Sequence, residues 1–311
     1  MRRVLLLLVA CALAVGCASD SNEPAAVERP STTSTPSTTA APTTTTSRPA
    51  PVTDPNALRP PEAATTPAAL ARQIADAEAV IRDATRSDLE VAEAALAQQV
   101  AYRQLGTHPE WDLTVLDAVP AELHPSIVRH AAARRAFRGM HTKLSDTLPA
   151  WRIVAPVPAA ELVTIYQDAG AAFGISWPYL AAIHLVETGT GRIRGTSTAG
   201  AQGPMQFLPS TWAAYGDGGD INDTRDAIFG AARYLAANNG ATDIDNALYR
   251  YNNSNRYVAG VKLYAELIDE HPRAFLGLYH WGVWYLTTQG DRYLPVGYEQ
   301  TTPIPATDYR P

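Results

Sequence analysis

Cysteine is nearly missing from this chain. Its two cysteines, Cys11 and Cys17, both lie in the first seventeen residues. Everything after them must therefore fold without a disulfide, a thiolate metal site or a cysteine nucleophile. Lysine is as scarce: Lys143 and Lys262 are the only two, and arginine supplies the other positive charges. No basic stripe stands out. The net charge is −6, with acidic and basic residues mixed along the chain, which argues against a nucleic-acid partner. Strand-like alternation is almost absent, so an all-α fold is expected rather than a sandwich or barrel.

The start, MRRVLLLLVACALAVGCASD, has two arginines, a short apolar run and then small residues before a cysteine. The run is too short for a membrane-spanning helix and reads as an export signal over residues 1–17. It resembles a bacterial lipoprotein signal, with AVGC around Cys17 as the lipobox. That resemblance implies lipidation at Cys17, a membrane anchor and an extracytoplasmic location facing the cell wall. LVAC around Cys11 leaves a shorter apolar run, and a cleaved signal without lipid is the alternative. Residues 18–63 are Thr, Pro, Ser and Ala with little to bury, so they read as a disordered linker. At about 3.1 Å per residue, a proline-rich linker holds a domain on the order of 100 Å from its anchor.

Helical patterning begins near Thr66–Pro67. Leu70, Ile74, Ala77 and Ile81 share one face, and Ser87 with Glu90 is a capping-box signature for a second helix. A third helix is expected over 125–144, in a helical region spanning 64–150. The segment WRIVAPVP then separates a second region, 151–293, with helices expected near 159–173, 178–188, 209–215, 224–238, 243–251, 257–271 and 272–287. The tail, 294–311, is proline-spaced and reads as extended.

The stretch SWPYLAAIHLVETGTGR, residues 176–192, organises the second region. Ser176 and Pro178 suit a helix start. Leu180, Ala181, Ala182, Ile183, Leu185 and Val186 are apolar on nearly every face, as in a core helix. Gly189 and Gly191 suit its end. Glu187 thus falls in the last turn of a buried helix. Lost hydration and the negative end of the helix dipole both favour its protonated form. A carboxylic acid protonated near neutral pH suits general acid catalysis at a glycosidic bond. Read alone, the residue is equally a glutamate at a frayed helix end, reaching water.

Two segments downstream sharpen this. STAGAQGPMQFLPSTW, residues 197–212, has Gly200 and Gly203 for close backbone approach and Gln206 as a donor and acceptor for a sugar acetamido group. ALYRYNNSNRYV, residues 247–258, places Tyr251 and Asn252 at a helix end, where a phenol can bond the acid. Trp212, Tyr215, Tyr249, Tyr257, Trp281, Trp284 and Tyr285 are either sugar platforms or core. In DGGDIND, residues 217–223, no glycine or distal glutamate falls in EF-hand register, so turns and caps are the expected use of its acids. His184 forms no HExxH pattern and reads as a core histidine. No metal or cofactor is expected. Arg192 and Arg194 read either as partners for carboxylates or as a solvated face.

VETGTGR, then SxxGAxGPMQFxPxTW, then ALxxYN, in that order, resembles the lytic murein transglycosylases, and most of all their actinobacterial lipoprotein members. The likeness covers about residues 159–298. It implies a lysozyme-like helical fold and peptidoglycan glycan strands as substrate. By that likeness Glu187 is the single catalytic acid and base, and Ser197, Met205 and Gln206 line the glycan cleft. Tyr251 supports the glutamate with Asn252 beside it. Thr188 stands where many members have serine, keeping a hydroxyl. The implied reaction cleaves the β-1,4 bond between N-acetylmuramic acid and N-acetylglucosamine, leaving a 1,6-anhydromuramoyl end. A muramidase that uses water and a non-catalytic glycan-binding scaffold are the alternatives.

Overall fold

The computed structural model describes residues 52–310. The expected signal over 1–17, Cys17 within it and the linker up to residue 51 lie outside the described residues. Helices dominate what is described.

Helix α1 (Pro67–Arg82) opens on Thr66, whose side chain accepts from the Ala69 N–H. Helix α2 (Asp88–Thr107) opens on the expected capping box: Ser87 and Glu90 each accept from the other's backbone N–H. The two form a helical hairpin. The short helix α3 (Asp112–Asp117) leads to α4 (His124–Arg138). That helix stops at Gly139 rather than continuing to residue 144 as expected. The end of the expected linker also belongs to the folded body, because Leu58 is buried against Ala92 and Leu96 of α2.

Two short strands follow, β1 (Thr147–Leu148) and β2 (Arg152–Ile153), and then α5 (Ala159–Phe173) and α6 (Trp177–Thr188). Strand β3 (Ile193–Arg194) pairs antiparallel with β2. Next come α7 (Pro209–Tyr215), α8 (Thr224–Ala237), α9 (Ile244–Tyr251), α10 (Asn255–Glu270) and α11 (Ala274–His280). Helices α8, α9 and α10 are capped by Asp223, Asp243 and Ser254.

The helix expected to run through Thr287 ends at His280. Residues 283–287 instead form β4, which pairs antiparallel with β5 (Gly290–Leu294). Val283, Trp284 and Tyr285 favour a pleated, half-buried surface, and Gly290, with φ +91°, closes the hairpin. The tail is not loosely extended. Its strand β6 (Ile304–Pro305) pairs with β1, and Leu294, Tyr298 and Ala306 are buried with Leu148 and Ile153.

One continuous core runs from Leu70 in α1 to Trp281. It joins Ile74, Tyr102 and Ile127 of the first helices to Tyr166, Ile183, Leu248 and Tyr257 of the later ones. Helix α6 lies at its centre, against α5, α8, α10 and α11. Leu180, Ala181, Ala182, Ile183 and His184 are all buried, which is why every face of that helix is apolar.

Candidate active site

The end of α6 fixes the site. Gly189 is left-handed at φ +61°, and the Thr190 N–H bonds back to the His184 carbonyl at 3.1 Å while the Gly189 N–H bonds to Leu185 at 2.9 Å. This turn satisfies carbonyls that the helix end would otherwise leave bare. At the other end, Ser176 occupies the cap position without using its side chain, contrary to expectation.

Glu187, in the last turn of α6, faces a cleft of about 240 Å³. Gln99 of α2, Arg134 of α4, Trp151, Gln206, Tyr264 and Trp284 supply much of the lining. Some of the Glu187 side chain remains accessible from the cleft, but protein crowds the carboxyl closely. That desolvation pushes its pKa from 4.5 up to about 7, opposed by a hydrogen bond from Tyr257. The Tyr257 hydroxyl donates to Oε1 at 2.7 Å from the side away from the cleft. Tyr257 is fully buried and sits in the first turn of α10, where its own N–H bonds to the Ser254 side chain at 3.4 Å.

The hydroxyl of Tyr251, expected beside the acid, does not bond it. That group donates instead to the Met205 carbonyl at 2.7 Å, and the Tyr251 ring stacks parallel to Tyr257 at 6.4 Å. Tyr251 and its neighbour Asn252 are buried outside the cleft lining. The tyrosine that reaches the acid lies six residues further along the sequence, in the next helix. In the sequence it is one aromatic among several.

The 197–212 segment divides in the same way. Gln206 lines the cleft. It is held in a left-handed conformation, φ +50°, with its side-chain amide donating to the Gly203 carbonyl at 3.0 Å. A non-glycine residue in that region is strained and needs its surroundings to hold it. Gly203 makes the loop possible: its φ is +73°, and a Cβ there would lie 1.8 Å from the Ile221 carbonyl oxygen. Met205 does not line the cleft. Its side chain is fully buried in the core and only its carbonyl is used, by Tyr251. Ser197 is also buried, its hydroxyl accepting from the Ala201 N–H at 3.0 Å to close the loop.

Thr188 is fully buried and faces the loop rather than the cleft. Its hydroxyl donates to the Pro204 carbonyl at 2.6 Å and accepts from the Gly191 N–H at 3.1 Å. It therefore ties the end of α6 to the Gln206 loop. Arg192 is buried too. It donates to the Gly189 carbonyl and the Thr190 hydroxyl, and burial lowers its pKa to about 10. Arg194 reaches the Asn222 carbonyl at 3.4 Å. Neither lines the cleft.

Of the aromatic set, Trp281, Trp284 and Tyr285 line the cleft, whereas Trp212 packs under Gly216 and Gly230 and Tyr249 is exposed elsewhere. The acids of DGGDIND are occupied locally. Asp217 pairs with Arg233, Asp220 accepts from Asn222 and Asp223 caps α8. His184 sits in the core with Nδ1 2.7 Å from the Tyr166 hydroxyl. Among the described residues, Glu187 is the only carboxylate lining the cleft.

The geometry can do one thing well. It presents a single carboxyl, protonated over part of the neutral range, to a groove walled by aromatic, amide and basic side chains. Comparison with known proteins returned no matching family model, curated protein or solved structure.

Proposed function

We propose that this protein is a lytic transglycosylase of peptidoglycan, with a lysozyme-like helical domain around the cleft. The carrying observation is the solitary acid: one carboxyl with a pKa near 7 lines the cleft, and among the described residues no second carboxylate accompanies it.

A glycosidase that activates water needs a second carboxyl, roughly 6.5–9.5 Å away for inversion or 5–5.5 Å for retention. An intramolecular attack has no such need, because the nucleophile is already held beside the reacting carbon at high effective molarity. In the proposed reaction Glu187 gives its proton to the bridging oxygen as the bond from C1 to that oxygen breaks. Positive charge develops at C1. The carboxylate then accepts the proton of the muramoyl 6-hydroxyl, whose oxygen bonds to C1. Glu187 ends protonated, no water is consumed, and the product carries a 1,6-anhydro ring.

A group that gives and retakes a proton works best with a pKa near the working pH. Burial supplies that here, and Tyr257 keeps the carboxylate from becoming too unfavourable. Gln206 offers amide hydrogen bonds for acetamido groups, and Trp151, Trp284 and Tyr285 offer flat apolar faces for sugar rings. Cell-wall remodelling from a lipid anchor at Cys17 completes the reading. Its direct test is Glu187→Gln, which should bind glycan strands yet release nothing from them; a variant that still releases fragments overturns it.

A further inference from the structure

The wall of the cleft away from the 176–258 motifs comes from the first helices, and it is strongly basic. Arg103 of α2, Arg134 of α4 and Lys143 line the cleft, and Arg138 stands one helical turn beyond Arg134. Against these four cations stands one carboxylate, Asp291 of β5, which bonds Arg103 and pairs with Arg138 at 3.3 Å. No carboxylate lies within ion-pairing reach of Arg134 or Lys143 among the described residues. The Arg134 Nε is buried without a hydrogen-bond partner there. Arg103 is almost fully buried, with its guanidinium 4.5 Å from the Trp284 ring centre.

Burial and the neighbouring arginines lower the pKa of Arg103 to about 9. Burial raises the pKa of Glu187, and the hydrogen bond from Tyr257 opposes that rise. Guanidinium groups gathered without enough carboxylate to balance them repel one another, and an incoming anion relieves that repulsion. A planar guanidinium also matches a carboxylate fork to fork.

The geometry points to a carboxylate-recognition subsite, built by Arg103, Arg134, Arg138 and Lys143, that selects anionic glycan over neutral glycan. This rests on the glycan-cleft reading above and adds the chemical class that the cleft prefers. Two sources present a carboxylate beside a sugar chain: the lactyl group of muramic acid where no peptide is attached, and the stem peptide where one is.

The test uses the full chain carrying Glu187→Gln, so that ligands are bound and not cleaved. Calorimetry compares a neutral N-acetylglucosamine hexamer, a peptide-free glycan with free lactyl carboxylates, and the same glycan bearing stem peptides. At least one carboxylate ligand should bind about tenfold or more tighter than the neutral hexamer. Preference for the peptide-free glycan assigns the lactyl group, and preference for the peptide-bearing glycan assigns the peptide; either supports the subsite. Adding Arg134→Gln with Lys143→Gln should lower the preference ratio about tenfold, and Arg134→Lys with Lys143→Arg should restore much of it. These changes leave Asp291 with both its arginines, and an unchanged melting temperature checks the fold. Equal affinity for all three ligands, or a ratio untouched by the double variant, overturns the subsite while leaving the glycan cleft standing. Binding of none of the three overturns both.

Discussion

The Tyr257 hydroxyl donates to Glu187 Oε1 at 2.7 Å from behind the acid, and its ring is stacked on Tyr251. This bond favours the carboxylate, while burial favours the acid and wins. Tyr257→Phe keeps the ring and removes the donor. The pKa of Glu187 should rise further above 7, so the alkaline limb of the pH–rate profile should move to higher pH as kcat falls. A limb that stays in place, measured from pH 5 to 9, would remove Tyr257 from the account.

Glu187 also ties stability to pH. A carboxyl whose pKa rises on folding binds more protons in the native than in the unfolded state between the two values. Stability is then greatest below the unfolded value near 4.5 and falls as pH climbs to about 7. Each pKa unit is worth about 1.4 kcal/mol, so a rise from 4.5 to about 7 makes the loss on the order of 3–4 kcal/mol. Glu187→Gln should escape it. The variant should be more stable than the parent in urea at pH 8, and the difference should shrink towards pH 4.

Thr188 joins two loops through a buried hydroxyl. Thr188→Val keeps the shape but leaves the Pro204 carbonyl and the Gly191 N–H without this partner. A loss of about 1–3 kcal/mol is expected for each buried polar group stranded in this way. Thr188→Ser should retain most of the stability. Urea midpoints of the two variants decide the matter, and equal midpoints would refute the tie.

Gly203 admits no side chain. In Gly203→Ala the new Cβ would meet the Ile221 carbonyl at 1.8 Å and the backbone would still need φ +73°. The turn carrying Gln206 should shift, with stability falling by more than about 1 kcal/mol and glycan affinity falling with it. Crystallography of the variant would show whether Gln206 leaves the cleft.

Local chemistry was the legible part of the sequence. Helix α6, its left-handed Gly189 end, the Ser87–Glu90 box and the need for glycine at 203 follow from neighbours a few residues apart. Glu187 was legible for the same reason, since an apolar helix carries it. Tyr257 was not, because nothing in ALYRYNNSNRYV says whether Tyr251 or Tyr257 turns back across the core to α6. Met205 is expected in the cleft lining and Thr188 is expected to offer a hydroxyl, but their side chains face the core and the 197–212 loop, because a motif gives proximity to a cleft and not the direction of a side chain. The β4–β5 hairpin falls where the helix over 272–287 is expected to end, because a short apolar and aromatic run does not separate strand from helix. The basic wall could not be read at all: it needs α2, α4 and β5 to meet, and they are separated by up to 188 residues in the Arg103–Asp291 pair.

Mass spectrometry of fragments released from purified peptidoglycan tests the central claim most directly. A single acid working without water predicts muramoyl ends in the 1,6-anhydro form, each about one water lighter than its hydrolytic counterpart. Reducing ends throughout would show that a water molecule attacks and that the solitary Glu187 is not the whole of the catalytic machinery.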